Sequence, residues 1–145
     1  MPQGTTVTTT PAFIEGFVPV PSPRRGAVLV VEDRDDVRQG VAQLLELHGY
    51  MVFEAANANE AFAHLESSPH GIALILLDLV LPGRGGAELR AAQLADPELS
   101  DIPIIVVSAI ERHETDGAAL RAAAWLEKPF RCDQLLAEVC KHVTV

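Results

Sequence analysis

Apolar and polar residues fall into repeating blocks along this chain. Five short apolar runs stand out: AVLVV (27–31), MVFEA (51–55), IALILL (72–77), IPIIVVS (102–108) and AWLE (124–127). Runs this short, rich in branched aliphatics and bounded by turn formers, predict strands, and the unbroken ones predict strands buried on both faces. Between them the apolar period lengthens to that of a helix. Val37, Val41, Leu44, Leu45 and His48 share one helical face, and Gly49 marks its end. Asn57 with Glu60 makes a capping-box-like start for a helix carrying Ala61, Phe62 and Leu65. Further helices are predicted over about Gly86 to Leu94 and, with weaker patterning, over about 111–122. A last one follows Lys128-Pro129, with Leu136, Val139, Cys140 and Val143 as its apolar face.

Five strand–helix units in succession predict an α/β class: a flavodoxin-like (βα)5 fold, a doubly wound parallel sheet covered on both faces. Right-handed crossovers leave few topologies, and the flavodoxin-like strand order 2-1-3-4-5 places a ligand crevice at the carboxyl ends of the first and third strands. Residues 1–25 break the pattern. They carry five of the ten prolines, a threonine cluster and no period, which predicts a disordered tail or linker ahead of a domain spanning 26–145. Within the tail, Phe13, Ile14, Phe17 and Val18 form an apolar patch able to dock on the domain or on a partner.

Charge and composition narrow the function classes. A net charge of −9 lacks the basic footprint that nucleic acid requires and disfavours anionic membrane surfaces. No apolar run reaches the length of a membrane span, and MPQGTTVTTT is not a signal peptide. Cys132 and Cys140 form no CxxC pair, which predicts a reducing, cytoplasmic setting, with both cysteines acting as small apolar residues of the last helix. The five histidines show no metal-ligand spacing. Of eleven basic residues only Lys128 and Lys141 are lysine, so a lysine here marks a place where a compact ammonium does what a guanidinium cannot.

The polar residues that end the strands carry the chemistry. Glu32-Asp33 follow the first strand, Asp78 the third, Ser108 ends the fourth and Lys128 follows the fifth. Asp78 alone also reads as a turn or helix cap. Three converging carboxylates repel one another unless positive charge sits among them, and a hard divalent cation with oxygen ligands or the Lys128 ammonium supplies it. The set suits capture of a phosphoryl group on Asp78, a reaction that is mostly positioning and charge neutralisation. Asp35 and Asp36 read as caps of the first helix, and DRDD lacks the glycine and terminal glutamate of a calcium loop. GRGG (83–86) reads as a turn, too short for a dinucleotide or Walker loop and placed after the wrong strand.

Taken in order, VLVVEDRDD, LILLDLVLPGRGG, PIIVVSA and WLEKPF resemble the receiver domain of two-component response regulators over about Gly26 to Val145. The resemblance implies that Asp78 is the phosphoacceptor. It implies that Glu32, Asp33 and the backbone carbonyl of Val80 hold Mg²⁺ (or Mn²⁺) with Asp78. Ser108 becomes the switch hydroxyl, Lys128 a phosphoryl contact, Lys128-Pro129 a cis peptide, and Trp125 the aromatic that moves with Ser108. It further implies a histidine kinase or histidine phosphotransfer protein as phosphodonor, a downstream protein target, room for a homodimer, and catalysis of the domain's own phosphorylation and dephosphorylation alone. Departures from the family are Leu81 where Met is common, no glycine near Arg121, and a segment between Ser108 and Lys128 about two residues short. Three other readings stand beside this one: a degenerate receiver that only binds partners, the receiver segment of a hybrid histidine kinase, and a haloacid-dehalogenase-type phosphatase. The phosphatase class needs a second Asp two residues after the nucleophile, where this chain has Val80. The sequence ends two residues after Val143, which suits a stand-alone regulator as well as a piece of a longer one.

Overall fold

A computed structural model describes residues 24–79, 85–109 and 121–145. The elements are β1 (Arg24–Arg25), β2 (Ala27–Val31), α1 (Asp35–Leu47), β3 (Val52–Ala55), α2 (Ala58–Ser67), β4 (Ile72–Asp78), α3 (Gly86–Ala95), β5 (Ile104–Ser108), β6 (Ala124–Glu127), α4 (Cys132–Val139) and β7 (Val143–Thr144). Five strands pair in parallel in the order β3-β2-β4-β5-β6. Counted along that sheet alone, this is the predicted order 2-1-3-4-5.

Strand alternation divides the core. Leu29, Val31, Ile75, Leu77, Ile104 and Val106 point to one face and pack with Ala61 and Leu65 of α2 and Leu89 of α3. Val28, Val30, Leu74, Leu76, Ile105 and Val107 point to the other and pack with Leu45 of α1 and Leu135 and Val139 of α4. All of β2, β4 and β5 is buried, which is why these strands read as unbroken apolar runs. The α2 start is the predicted cap: the Glu60 N–H donates to Asn57 Oδ1 at 2.9 Å, and the Glu60 carboxylate reaches back to the Ala56 N–H at 2.8 Å.

Several expectations are corrected. Arg24 and Arg25, placed in the tail, form β1 and pair in parallel with Val143 and Thr144 of β7; the Arg24 guanidinium also donates to the Asp101 carbonyl at 2.8 Å. The last helix closes at Val139, so Val143 is buried from a strand rather than from a helix face. Leu135 and Val139 are the fully buried positions of α4, Leu136 is half-buried, and both Cys140 and Cys132 are exposed free thiols. Arg34 is the N-cap residue of α1, and Asp35 and Asp36 occupy its first turn, where carboxylates favour the helix dipole without capping it. β5 begins at Ile104, because Pro103 has no N–H to give to a ladder. Of the helix expected over 111–122, residues 111–120 lie outside the described residues, and Arg121 and Ala122 are not helical. Arg121 holds φ 52°, the left-handed region that favours glycine.

α3 is tied to both edges of the sheet. Its start presses on the edge where β4 ends: a Cβ at Gly86 would meet the Asp78 carbonyl oxygen at 2.7 Å and Leu79 Cα at 2.8 Å. Farther along α3, buried Arg90 donates to Gln93 Oε1 (2.6 Å) and to the Arg121 carbonyl (3.1 Å). The Gln93 amide donates to the carbonyls of Leu99 (2.7 Å) and Ile102 (2.9 Å), latching the turn that leads into β5.

Two glycine substitutions of opposite sign follow. Gly40 lies exposed inside α1 with open space around its Cβ position. Gly40→Ala is expected to stabilise the fold by about 1 kcal/mol, the ordinary helix-interior difference, raising the thermal midpoint by about 3–5 °C. Gly86→Ala is expected to cost about 1–3 kcal/mol, because the methyl would displace backbone rather than a flexible side chain. Differential scanning calorimetry of both variants measures the two shifts; equal shifts, or a stabilised Gly86→Ala, contradict the packing described.

Candidate functional site

The alternation that divides the core also builds the site. Glu32 continues the Val28–Val30 positions, Asp78 the Leu74–Leu76 positions and Lys128 the Ala124–Leu126 positions, so all three side chains emerge on the α1/α4 side of one sheet edge. Pairing sets them level. Val31 lies opposite Leu77, the Glu32 N–H donates to the Ala55 carbonyl at 3.0 Å, and the Lys128 N–H donates to the Ser108 carbonyl at 2.9 Å. The Lys128-Pro129 peptide is cis, in agreement with the resemblance.

Lys128 Nζ bridges the carboxylates, 2.5 Å from Glu32 Oε1 and 3.3 Å from Asp78 Oδ2. The Glu32 and Asp78 side chains are 6% and 10% exposed, against 23% for Lys128, so the pairing takes place largely out of water. Burial alone would lower the Lys128 pKa. The hydrogen bond that the ammonium donates to Glu32 and the charges of Asp78 and Glu32 outweigh it and hold the ammonium above its ordinary value. A raised lysine pKa contributes stability that is complete below the unfolded-state value and disappears only as pH rises through the folded-state value, so the ammonium persists through neutral pH.

Asp33 completes the cluster from the solvent side: one carboxylate oxygen from each of Glu32, Asp33 and Asp78 lies within 4.8 Å of the others. Three carboxylates and one ammonium leave a formal charge of −2 (−3 + 1), equal and opposite to that of one divalent cation. An oxygen-only donor set with one exposed member fits Mg²⁺, which takes one or two carboxylates and keeps several waters. The carbonyl of Val80 belongs to a residue outside those described.

Ser108 and Trp125 share the edge but sit on the other sheet face. Ser108 is fully buried and continues the Ile104–Val106 positions, while Trp125 pairs with Val106 and packs against the α2/α3 core. The indole Nε1 is buried with no hydrogen-bond partner among the described residues. Beneath the carboxylates lies a small apolar cavity lined by Val37, Val41, Leu76, Val107, Phe130 and Leu135.

Sequence reasoning missed Arg38. Its guanidinium donates to the Glu32 carbonyl (2.9 Å), Asp35 Oδ1 (2.7 Å) and Glu54 Oε1 (3.1 Å). The available signal was the i,i+3 spacing of Asp35 and Arg38 just past the acidic turn.

The sequence matches the response regulator receiver domain over residues 28–140. It is 36% identical over 115 residues to the phosphate regulon transcriptional regulatory protein PhoB of Pseudomonas aeruginosa, covering 77% of this chain and 49% of PhoB. The chain thus spans about half the length of that relative. It is 35% identical over 115 residues to the response regulator receiver protein CpdR of Brucella abortus, covering 79% of this chain and 93% of CpdR. Among solved structures, chemotaxis protein CheY4 of Vibrio cholerae superposes with a TM-score of 0.72 at 30% identity, covering 79% of this chain and 96% of CheY4. The response regulator TrrA of Thermotoga maritima, solved in complex with Mg²⁺ and BeF, superposes with a TM-score of 0.68 at 27% identity, covering 81% of this chain and 96% of TrrA. Sheet order, the acidic edge and the match over 28–140 agree: the chain belongs to the response regulator receiver domain family of two-component signalling.

Proposed function

We propose that Asp78 takes a phosphoryl group from the phosphohistidine of a histidine kinase or histidine phosphotransfer protein, and that the resulting acyl phosphate switches the domain's surface for a downstream protein. The observation that carries this reading is Lys128 Nζ seated between Glu32 and Asp78, with Asp33 beside them. An Asp78 carboxylate oxygen forms the bond to phosphorus as the P–N bond of the phosphohistidine breaks; the electron pair stays on the imidazole nitrogen, which takes up a proton. Lys128 is already at the attacking carboxylate and meets the negative charge that arrives with the phosphoryl group. Glu32, Asp33 and Asp78 would hold Mg²⁺ or Mn²⁺, which would supply further positive charge for the transfer. In this reading the domain catalyses only its own phosphorylation and dephosphorylation. Two exposed free thiols suit a reducing cytoplasm, and no helix among the described residues is long and apolar enough to cross a membrane.

Readout runs through the other sheet face. Ser108 is drawn to phospho-Asp78 and Trp125 fills the space it leaves. Two features support this: the residues share a face two positions apart in register, and no hydrogen bond anchors the indole N–H among the described residues. The change is a population shift driven by contacts present only in the phosphorylated state.

Acetyl phosphate with Mg²⁺ is expected to add one acid-labile phosphoryl group, read by intact-mass analysis. Asp78→Asn and removal of Mg²⁺ by a chelator are each expected to abolish it. Undiminished labelling of Asp78→Asn contradicts the assignment.

Trp125 is the single tryptophan, so its emission reports the switch alone. Beryllofluoride with Mg²⁺ is expected to change emission or quencher access in the parent and not in Asp78→Asn. A spectrum indifferent in both shows that output travels by another route.

A further inference from the structure

Glu32 is held at every polar group it has. Its N–H donates to Ala55, its Oε1 receives Lys128, its Oε2 receives the Arg34 N–H at 3.3 Å, and its carbonyl receives the Arg38 guanidinium at 2.9 Å. The last of these comes from outside the carboxylate cluster. Arg38 is only 11% exposed, although it projects from the first turns of an otherwise solvent-facing helix end. Its three contacts belong to three pieces of chain: the β2–α1 turn through Glu32, α1 itself through Asp35, and the neighbouring strand β3 through Glu54. A planar guanidinium with a rigid fork of donors spans three such acceptors; an ammonium does not.

We infer that Arg38 is a positioning residue for divalent cation binding, clamping the turn that carries Glu32 and Asp33 to the edge strand so that their carboxylates converge on Asp78. This rests on the functional reading above and adds to it a residue that touches neither the cation nor the phosphoryl group. The clamp and a plain charge effect predict opposite signs. If Arg38 acted only as a nearby positive charge, its removal would strengthen binding of a dication. If it fixes the backbone of the turn, its removal loosens binding, because the two carboxylates lose their common register.

Isothermal titration of Mg²⁺ into the full chain decides the matter. Arg38→Met is expected to weaken binding by about tenfold or more, the usual scale for a lost outer-shell partner of a metal site. Arg38→Lys keeps the charge but loses the fork, and is expected to weaken binding in the same direction. Glu54→Gln leaves the guanidinium in place with one anchor weakened, and is expected to give a smaller loss. Thermal unfolding of each variant establishes that it is folded at the titration temperature; if Arg38→Met is not, Arg38→Lys and Glu54→Gln carry the test. Unchanged or tighter binding in these variants, beside a parent that binds Mg²⁺, overturns the positioning role alone. A parent that takes up no Mg²⁺ overturns the functional reading and this role with it.

Discussion

A lysine ammonium lodged between two nearly buried carboxylates sets the terms for the whole carboxyl edge of the sheet. Removing a carboxylate from water costs several kcal/mol, and Glu32 and Asp78 both lie almost wholly out of water with a third carboxylate beside them. That arrangement is unstable without compensation. Lys128 provides it, and the remaining excess of negative charge is the kind a divalent cation meets. The same imbalance that makes the edge expensive in folding suits it to the proposed capture of a phosphoryl group. Chemistry and stability are here two consequences of one charge arrangement.

Strand alternation decides which groups join that arrangement. The positions that carry Val30, Leu76 and Leu126 into the core carry Glu32, Asp78 and Lys128 to one side of the edge. The intervening positions carry Ser108 and Trp125 to the opposite side. The phosphoryl capture and the readout proposed for these residues therefore fall on different faces of the same sheet, joined through the backbone where the Lys128 N–H meets the Ser108 carbonyl. The apolar cavity below the carboxylates belongs to the first face, between α1 and α4.

Much of this was legible in the residues. The unbroken runs of β2, β4 and β5 are buried on both faces and read as such, and Asn57 with Glu60 opens α2 as its spacing predicts. Asp78, Glu32, Asp33 and Lys128 could be brought together because each ends or follows a strand, and parallel strands deliver such residues to one edge. What escaped was whatever depends on contacts between distant segments. The pairing of Arg24–Arg25 with Val143–Thr144 leaves no periodic trace in either segment. The face of α4 was misjudged because it turned on where the helix stops, and Cys140 and Val143 lie just beyond that stop. Arg38 reads as an ordinary helix-surface charge until the Glu32 carbonyl and Glu54 are seen on either side of it.

Lys128 and Lys141 are the only lysines, and Lys141 is a surface residue paired with Glu138. Nitrogen-15 NMR of the lysine side-chain ammonium groups therefore observes the central contact against one internal reference. With Lys128 held between the two carboxylates, its ammonium is expected to exchange slowly with water, to resonate apart from Lys141, and to move when beryllofluoride and Mg²⁺ are added. That placement also requires the separation to collapse in Glu32→Gln and Asp78→Asn. Two lysine signals that behave alike, exchange freely and ignore both substitutions would contradict it.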